Sequence, residues 1–107
     1  MESPKYAIVD LETTGHSHQN GDRIIQIAIV IMQDWNIQTT YTKFIHPGKS
    51  IPIFIQELTH ITDEDVRDAM PFEMYADKIY ELYNKNNIVI ALKTKNIKTG
   101  DVIAFYH

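Results

Sequence analysis

The chain has no cysteine, so disulfides and thiolate metal centres are excluded, and a reducing compartment is permitted. It has only four glycines and four prolines, and it contains no low-complexity segment and no internal repeat. No apolar run approaches the length of a membrane span. The start, Met1-Glu2-Ser3-Pro4-Lys5, lacks the basic-then-apolar pattern of a secretory signal. No membrane partner is expected, and the cytoplasm is the expected location. Cations are in short supply too: ten Lys and Arg against fourteen Asp and Glu leave a net charge of −4. That balance disfavours a passive nucleic-acid binder, which normally presents a basic face.

What is present reads as one globular domain. Its 107 residues are 44% apolar and 22% charged, enough for a core that buries roughly 60–65% of the unfolded surface. Lys93, Lys95 and Lys98 crowd together, as do Asp63, Glu64, Asp65 and Asp68; both clusters read as solvated surface.

The most informative stretch is Tyr6-Ala7-Ile8-Val9-Asp10-Leu11-Glu12-Thr13-Thr14-Gly15, an apolar strand ending in two carboxylates spaced i, i+2. Side chains alternate along a strand, so Asp10 and Glu12 share a face, roughly 6.5 Å apart along the backbone, with Ala7, Val9 and Leu11 on the other. Carboxylates so placed suit a divalent cation, or a pair about 4 Å apart. Their hard oxygens favour Mg2+ or Mn2+ over zinc. An exposed strand end leading into a polar turn is the bland alternative.

The periodicity along the chain gives the remaining elements. Strand 1 is expected over 6–12, then a polar loop from Gly15 to Gly21. Strand 2, Arg23 to Met32, is almost continuously apolar and β-branched, as for a strand buried on both faces. After a turn at Asp34-Trp35-Asn36, strand 3 is expected over 37–46 with one wet face. Pro47-Gly48 breaks it. Pro52 fits the first turn of a short helix carrying Ile55 and Leu58. Thr62 reads as the N-cap of a second helix with Asp63, Glu64 and Asp65 in its first turn. A longer helix restarts at Pro71, its stripe of Phe72, Tyr75, Ala76, Ile79, Leu82 and Tyr83 turned to the core. Strand 4 is expected over 88–91.

The string from Tyr6 to Gly15 resembles the first motif of the DnaQ-like, DEDD-type 3′-to-5′ exonucleases. Asp22-Arg23-Ile24-Ile25-Gln26-Ile27-Ala28 looks like that family's second strand, and Phe44-Ile45-His46-Pro47 like the end of its third. Ile51-Pro52 and Leu58-Thr59-His60-Ile61-Thr62-Asp63-Glu64-Asp65-Val66 look like its IP…LTGIT segment, with His60 where glycine is usual. The resemblance covers about residues 5–91 and is most like the exonuclease domain of the DNA polymerase III epsilon subunit and of DinG-type helicases. It implies an α/β, ribonuclease-H-like fold with strand order 3-2-1-4. Strands 1–3 would be antiparallel, strand 4 parallel to strand 1, and the helices would lie between strands 3 and 4.

The resemblance implies hydrolysis of phosphodiesters at a nucleic acid 3′ end, DNA being the expected substrate, with Mg2+ or Mn2+ as cofactor. The acidic balance does not oppose this, because bound cations supply positive charge where phosphate sits. Asp10 and Glu12 would hold metal, the polypeptide at Thr13 and Thr14 would contact the terminal sugar, and Leu58 or Thr59 would pack on the terminal base. His60 would lie close to that nucleotide.

After Ala91 the family continues with A-H-N-x-x-F-D, and later with H-x-x-x-x-D, which carries the general-base histidine. Here Leu92-Lys93-Thr94-Lys95-Asn96 follows, and neither motif is present. The expectation is an exonuclease portion over 1–91 and a divergent tail over 92–107, out of frame or serving as an added edge strand (102–106). Such a chain would be weak or inactive alone; the alternatives are a non-catalytic remnant or an interaction module. Self-association through an uncovered sheet edge, or membership of a larger helicase or polymerase assembly, would follow. Asp101 reads as a turn residue, His16 and His18 as adventitious metal binders at most, His46 as a strand-end residue, and Trp35 as packed on its own hairpin.

Overall fold

The computed structural model describes residues 3–15, 17–86, 88 and 90–93. The expectations for His16, Asp101 and an edge strand at 102–106 lie outside them. Strands β1 (Lys5–Thr13), β2 (Ile24–Gln33) and β3 (Asn36–Phe44) precede helices α1 (Ile53–Thr59), α2 (Asp63–Val66) and α3 (Glu73–Lys85) and strand β4 (Ile90–Lys93). The sheet order is β3-β2-β1-β4. β1 and β3 flank β2 antiparallel, and β4 runs parallel to β1. This is the order and polarity the sequence predicts. Adjacent antiparallel strands need only tight turns, whereas the parallel β4 needs a long crossover, which the three helices supply.

The β2–β3 turn has two residues, Asp34 and Trp35, both at positive φ (53° and 67°), the combination a type I′ hairpin requires. That geometry projects Trp35 outward, 95% exposed. The expectation that it packs on its hairpin is therefore wrong.

Ala7, Val9 and Leu11 of β1 and Ile27, Ile29 and Ile31 of β2 form the main core with Ile79 of α3. Phe72, Tyr75, Leu82 and Tyr83 pack at its margin, so the helical stripe faces the sheet as its spacing requires. A second cluster joins Ile25 to Ile51, Ile55 of α1, Ile61 and Val66 of α2.

Three strand expectations need correction. β2 is fully buried on one face and half-buried at Gln26, Ala28, Val30 and Met32 on the other. β3 ends at Phe44 and is wet on both faces apart from Tyr41, because it forms the sheet edge and only Tyr41 packs against the main core. β4 starts two residues late: the Ile88 N–H donates to Tyr83 O at 3.1 Å, closing the helix end instead of joining the ladder.

Pro52 stands at the N-cap of α1 rather than inside its first turn. Thr62 caps α2 as expected, in a capping box. Its Oγ1 accepts from the Asp65 N–H at 3.3 Å, and Asp65 Oδ2 accepts from the Thr62 N–H at 2.9 Å. Asp63 Oδ1 accepts from the Ile51 N–H at 2.8 Å. Half of the acidic cluster thus serves backbone amides rather than acting only as solvated surface.

Candidate active site

β1 delivers Asp10 and Glu12 to one face near its carboxyl end, opposite Ala28 and Gln26 of β2. Their neighbours Val9 and Leu11 are buried on the other face. Immediately after Glu12 the ladder shifts: Glu12 pairs with Gln26 but Thr13 pairs with Ile24, which leaves Ile25 as an inserted residue. A bulge of this kind re-aims the chain beside it. Ile25 also roots the cluster that carries α1, so the bulge links the carboxylate pair to the helix bearing Leu58 and Thr59.

Both carboxylates are half-buried, and Asp10 Oδ1 is fully buried with no hydrogen-bond partner among the described residues. An unsatisfied buried carboxylate oxygen is costly, on the order of 1–3 kcal/mol or more, and so calls for a partner from outside the chain. An oxygen donor set of this type fits a hard divalent cation. Among the described residues no group of three or more His, Asp or Glu side chains could hold a metal ion. Among the described residues two acidic groups come together on this face and no third joins them.

The loop after Glu12 is tightly ordered. Thr14 is 1% exposed. Its Oγ1 donates to Asp22 Oδ1 and accepts from the Arg23 N–H, each at 3.0 Å, while its own N–H donates to Arg23 O at 2.9 Å. The Thr13 hydroxyl donates to Gly15 O. Both the hydroxyl and the N–H of Thr14 are therefore committed inward.

Leu58 is 74% exposed at the end of α1. Thr59 Oγ1 donates to Ile55 O at 2.8 Å and accepts from the Ile61 N–H at 3.2 Å. His60 is exposed and ends α1 in the left-handed conformation, φ 61°. That backbone explains why glycine is usual in the motif His60 resembles. His46 lies beyond β3, where its Nδ1 accepts from the Gly48 N–H at 2.9 Å. Sequence reasoning missed Asp22: it was read only as the start of a strand, and the signal available was an acidic residue seven positions after Gly15 in a polar loop.

Strand order, a crossover of helices and a carboxylate pair at the end of the first strand define a ribonuclease-H-like exonuclease class. The family model for exonucleases matches residues 7–103, and the chain belongs to that family. It is 42% identical over 82 residues to the 3′-5′ exonuclease DinG of Bacillus subtilis, covering 77% of this chain and 9% of the relative. It is 40% identical over 91 residues to the PolC-type DNA polymerase III of Streptococcus pyogenes, covering 85% of this chain and 6% of the relative. The chain thus spans less than a tenth of either relative. The nuclease domain of 3′hExo, a DEDDh family member solved bound to rAMP, superposes with a TM-score of 0.78 at 18% identity, covering 96% of this chain and 58% of that one. Exonuclease I of E. coli, solved with a dT13 oligonucleotide, gives 0.68 at 19% identity, covering 83% and 20%.

Proposed function

We propose that the chain is the metal-side portion of a 3′-to-5′ exonuclease domain that acts on nucleic acid ends and is weak or inactive alone. One observation carries the reading: Asp10 and Glu12 share a strand face, and a buried Asp10 oxygen lacks a partner among the described residues. Asp10 and Glu12 would hold Mg2+ or Mn2+. Bound cations in such a site lower the pKa of water and offset charge on a phosphodiester. The backbone at Thr13 and Thr14 meets the terminal sugar, the exposed Leu58 covers the terminal base with Thr59 behind it, and His60 lies beside that nucleotide.

DNA is the favoured substrate, because the relatives near 40% identity carry DNA polymerase and DinG names, whereas the structure titled for a histone mRNA stem-loop is 21% identical. The same reading places the chain within a larger helicase or polymerase assembly in the cytoplasm, the polymerase alternative being supported by the name of the PolC-type relative. Residues 1–91 are taken as the exonuclease portion and 92–107 as a divergent tail. The stretch after Ala91, Leu92-Lys93-Thr94-Lys95-Asn96 where the family has A-H-N-x-x-F-D, favours a second reading, a non-catalytic remnant or an interaction module.

The test is release of mononucleotides from a labelled single-stranded oligonucleotide with Mn2+. Without the carboxylate of the A-H-N-x-x-F-D motif, charge stabilisation of the leaving group is weakened, so little or no release is expected. Robust release that vanishes in Glu12→Ala would overturn the inactivity and retain the exonuclease. Reading the coding DNA beyond Ala91 in all frames separates an interrupted exonuclease from a remnant of another kind.

A further inference from the structure

We propose that Asp22 is a positioning residue for the carboxylate pair, acting through Thr14 to fix the chain that leaves Glu12. The inference rests on the reading of Asp10 and Glu12 as cation ligands. Asp22 is not itself available as a ligand in this arrangement. Its Oδ1 accepts from the Thr14 hydroxyl at 3.0 Å and lies 4.0 Å from the Lys49 ammonium, and its Oδ2 accepts from the Ser17 N–H at 3.1 Å. The Asp22 N–H donates back to Ser17 O at 3.0 Å, closing the loop on itself.

The carboxylate also fills the space over Gly15. A Cβ there would lie 2.6 Å from Asp22 Cγ, so only glycine lets the two segments meet. Lys49, from the segment after β3, also donates to Gly21 O at 3.4 Å and so ties a third stretch to the same point. The clamp closes two residues past Glu12, where the β1–β2 register has just shifted. Without it the buried Thr14 hydroxyl loses its acceptor, and the backbone after Glu12 is released beside the bulge. Groups that orient metal ligands from behind typically change affinity by about 10–100-fold when removed.

The test is Mn2+ titration followed by electron paramagnetic resonance, well below the unfolding midpoint of each variant. Asp10→Ala should abolish binding. Thr14→Val, which removes the hydroxyl without changing charge, and Asp22→Asn should each weaken binding by about tenfold or more. Thr14→Ser, which keeps the hydroxyl, should stay close to the parent. A structural role alone would lower the midpoint and leave Mn2+ affinity unmoved in folded protein. If Asp22→Asn weakens binding and Thr14→Val does not, the effect is one of charge and the positioning role is overturned. If both match the parent while Asp10→Ala binds nothing, the positioning role fails and the cation site stands. If Asp10→Ala binds like the parent, the cation site itself fails. Should Asp22→Asn not fold, the Thr14 pair decides.

Discussion

At the scale of single residues, Asp10 and His60 each hold a position that costs stability. Asp10 buries a carboxylate oxygen without a partner among the described residues. In EDTA, Asp10→Asn should be as stable as the parent or more stable by up to about 1 kcal/mol, because a neutral amide is cheaper to bury than a carboxylate. Mn2+ should raise the parent's melting temperature, since a ligand that binds only the folded state stabilises it, and should leave the variant unmoved. Calorimetry with and without the metal checks both. His60 pays for a left-handed helix end with a Cβ that glycine lacks. His60→Gly should gain about 0.5–1 kcal/mol in urea unfolding. A loss there would mean that the imidazole makes a contact worth more than the backbone strain.

Among the elements, α2 is four residues long and cannot stand on its own propensity. Its capping box and the Asp63 bond to Ile51 hold it in place. Thr62→Ala should cost about 1 kcal/mol, and Asp63→Ala should loosen the Ile51–Ile61 side of the second cluster, read as faster amide exchange at Ile51. The β2–β3 hairpin is the opposite case, an element whose tip residue Trp35 stands out from the other described residues. Trp35 is the only tryptophan and is 95% exposed, so its fluorescence should match free tryptophan in water and be fully open to iodide quenching. A blue-shifted, protected emission would show the hairpin engaged, by a second copy if the shift grows with concentration.

For the molecule as a whole, a net charge of −4 repels a polyanion, so the proposed action on nucleic acid requires bound cations and apolar contact to supply the affinity. Binding of a fluorescent single-stranded oligonucleotide should be weak in EDTA and stronger with Mn2+, and the gain should be lost in Asp10→Asn. Equal binding in EDTA and Mn2+ would point to a basic surface instead. Two carboxylates leave most of a cation's shell to water, so Mg2+ affinity should be weak. Calorimetry giving sub-micromolar affinity would reveal ligands beyond Asp10 and Glu12.

Alternation along β1 and the stripe on α3 are local properties, and local periods determined which faces of these elements meet the core. The same local rules gave the capping threonine at 62 and the shared face of Asp10 and Glu12. Other features depended on what lay opposite. The inserted Ile25 exists only because β1 and β2 pair with a one-residue mismatch. The wet faces of β3 follow from its place at the edge, which no pattern within the strand records. The late start of β4 follows from Ile88 answering the end of α3. Asp22 acquires its partners by folding back on Thr14 across eight positions of loop, and sequence spacing could not show that one carboxylate would meet a buried hydroxyl, a backbone amide and a lysine from beyond β3. The carboxylate pair on one face was written in the strand; the contacts of the loop that follows it were decided only when distant segments met.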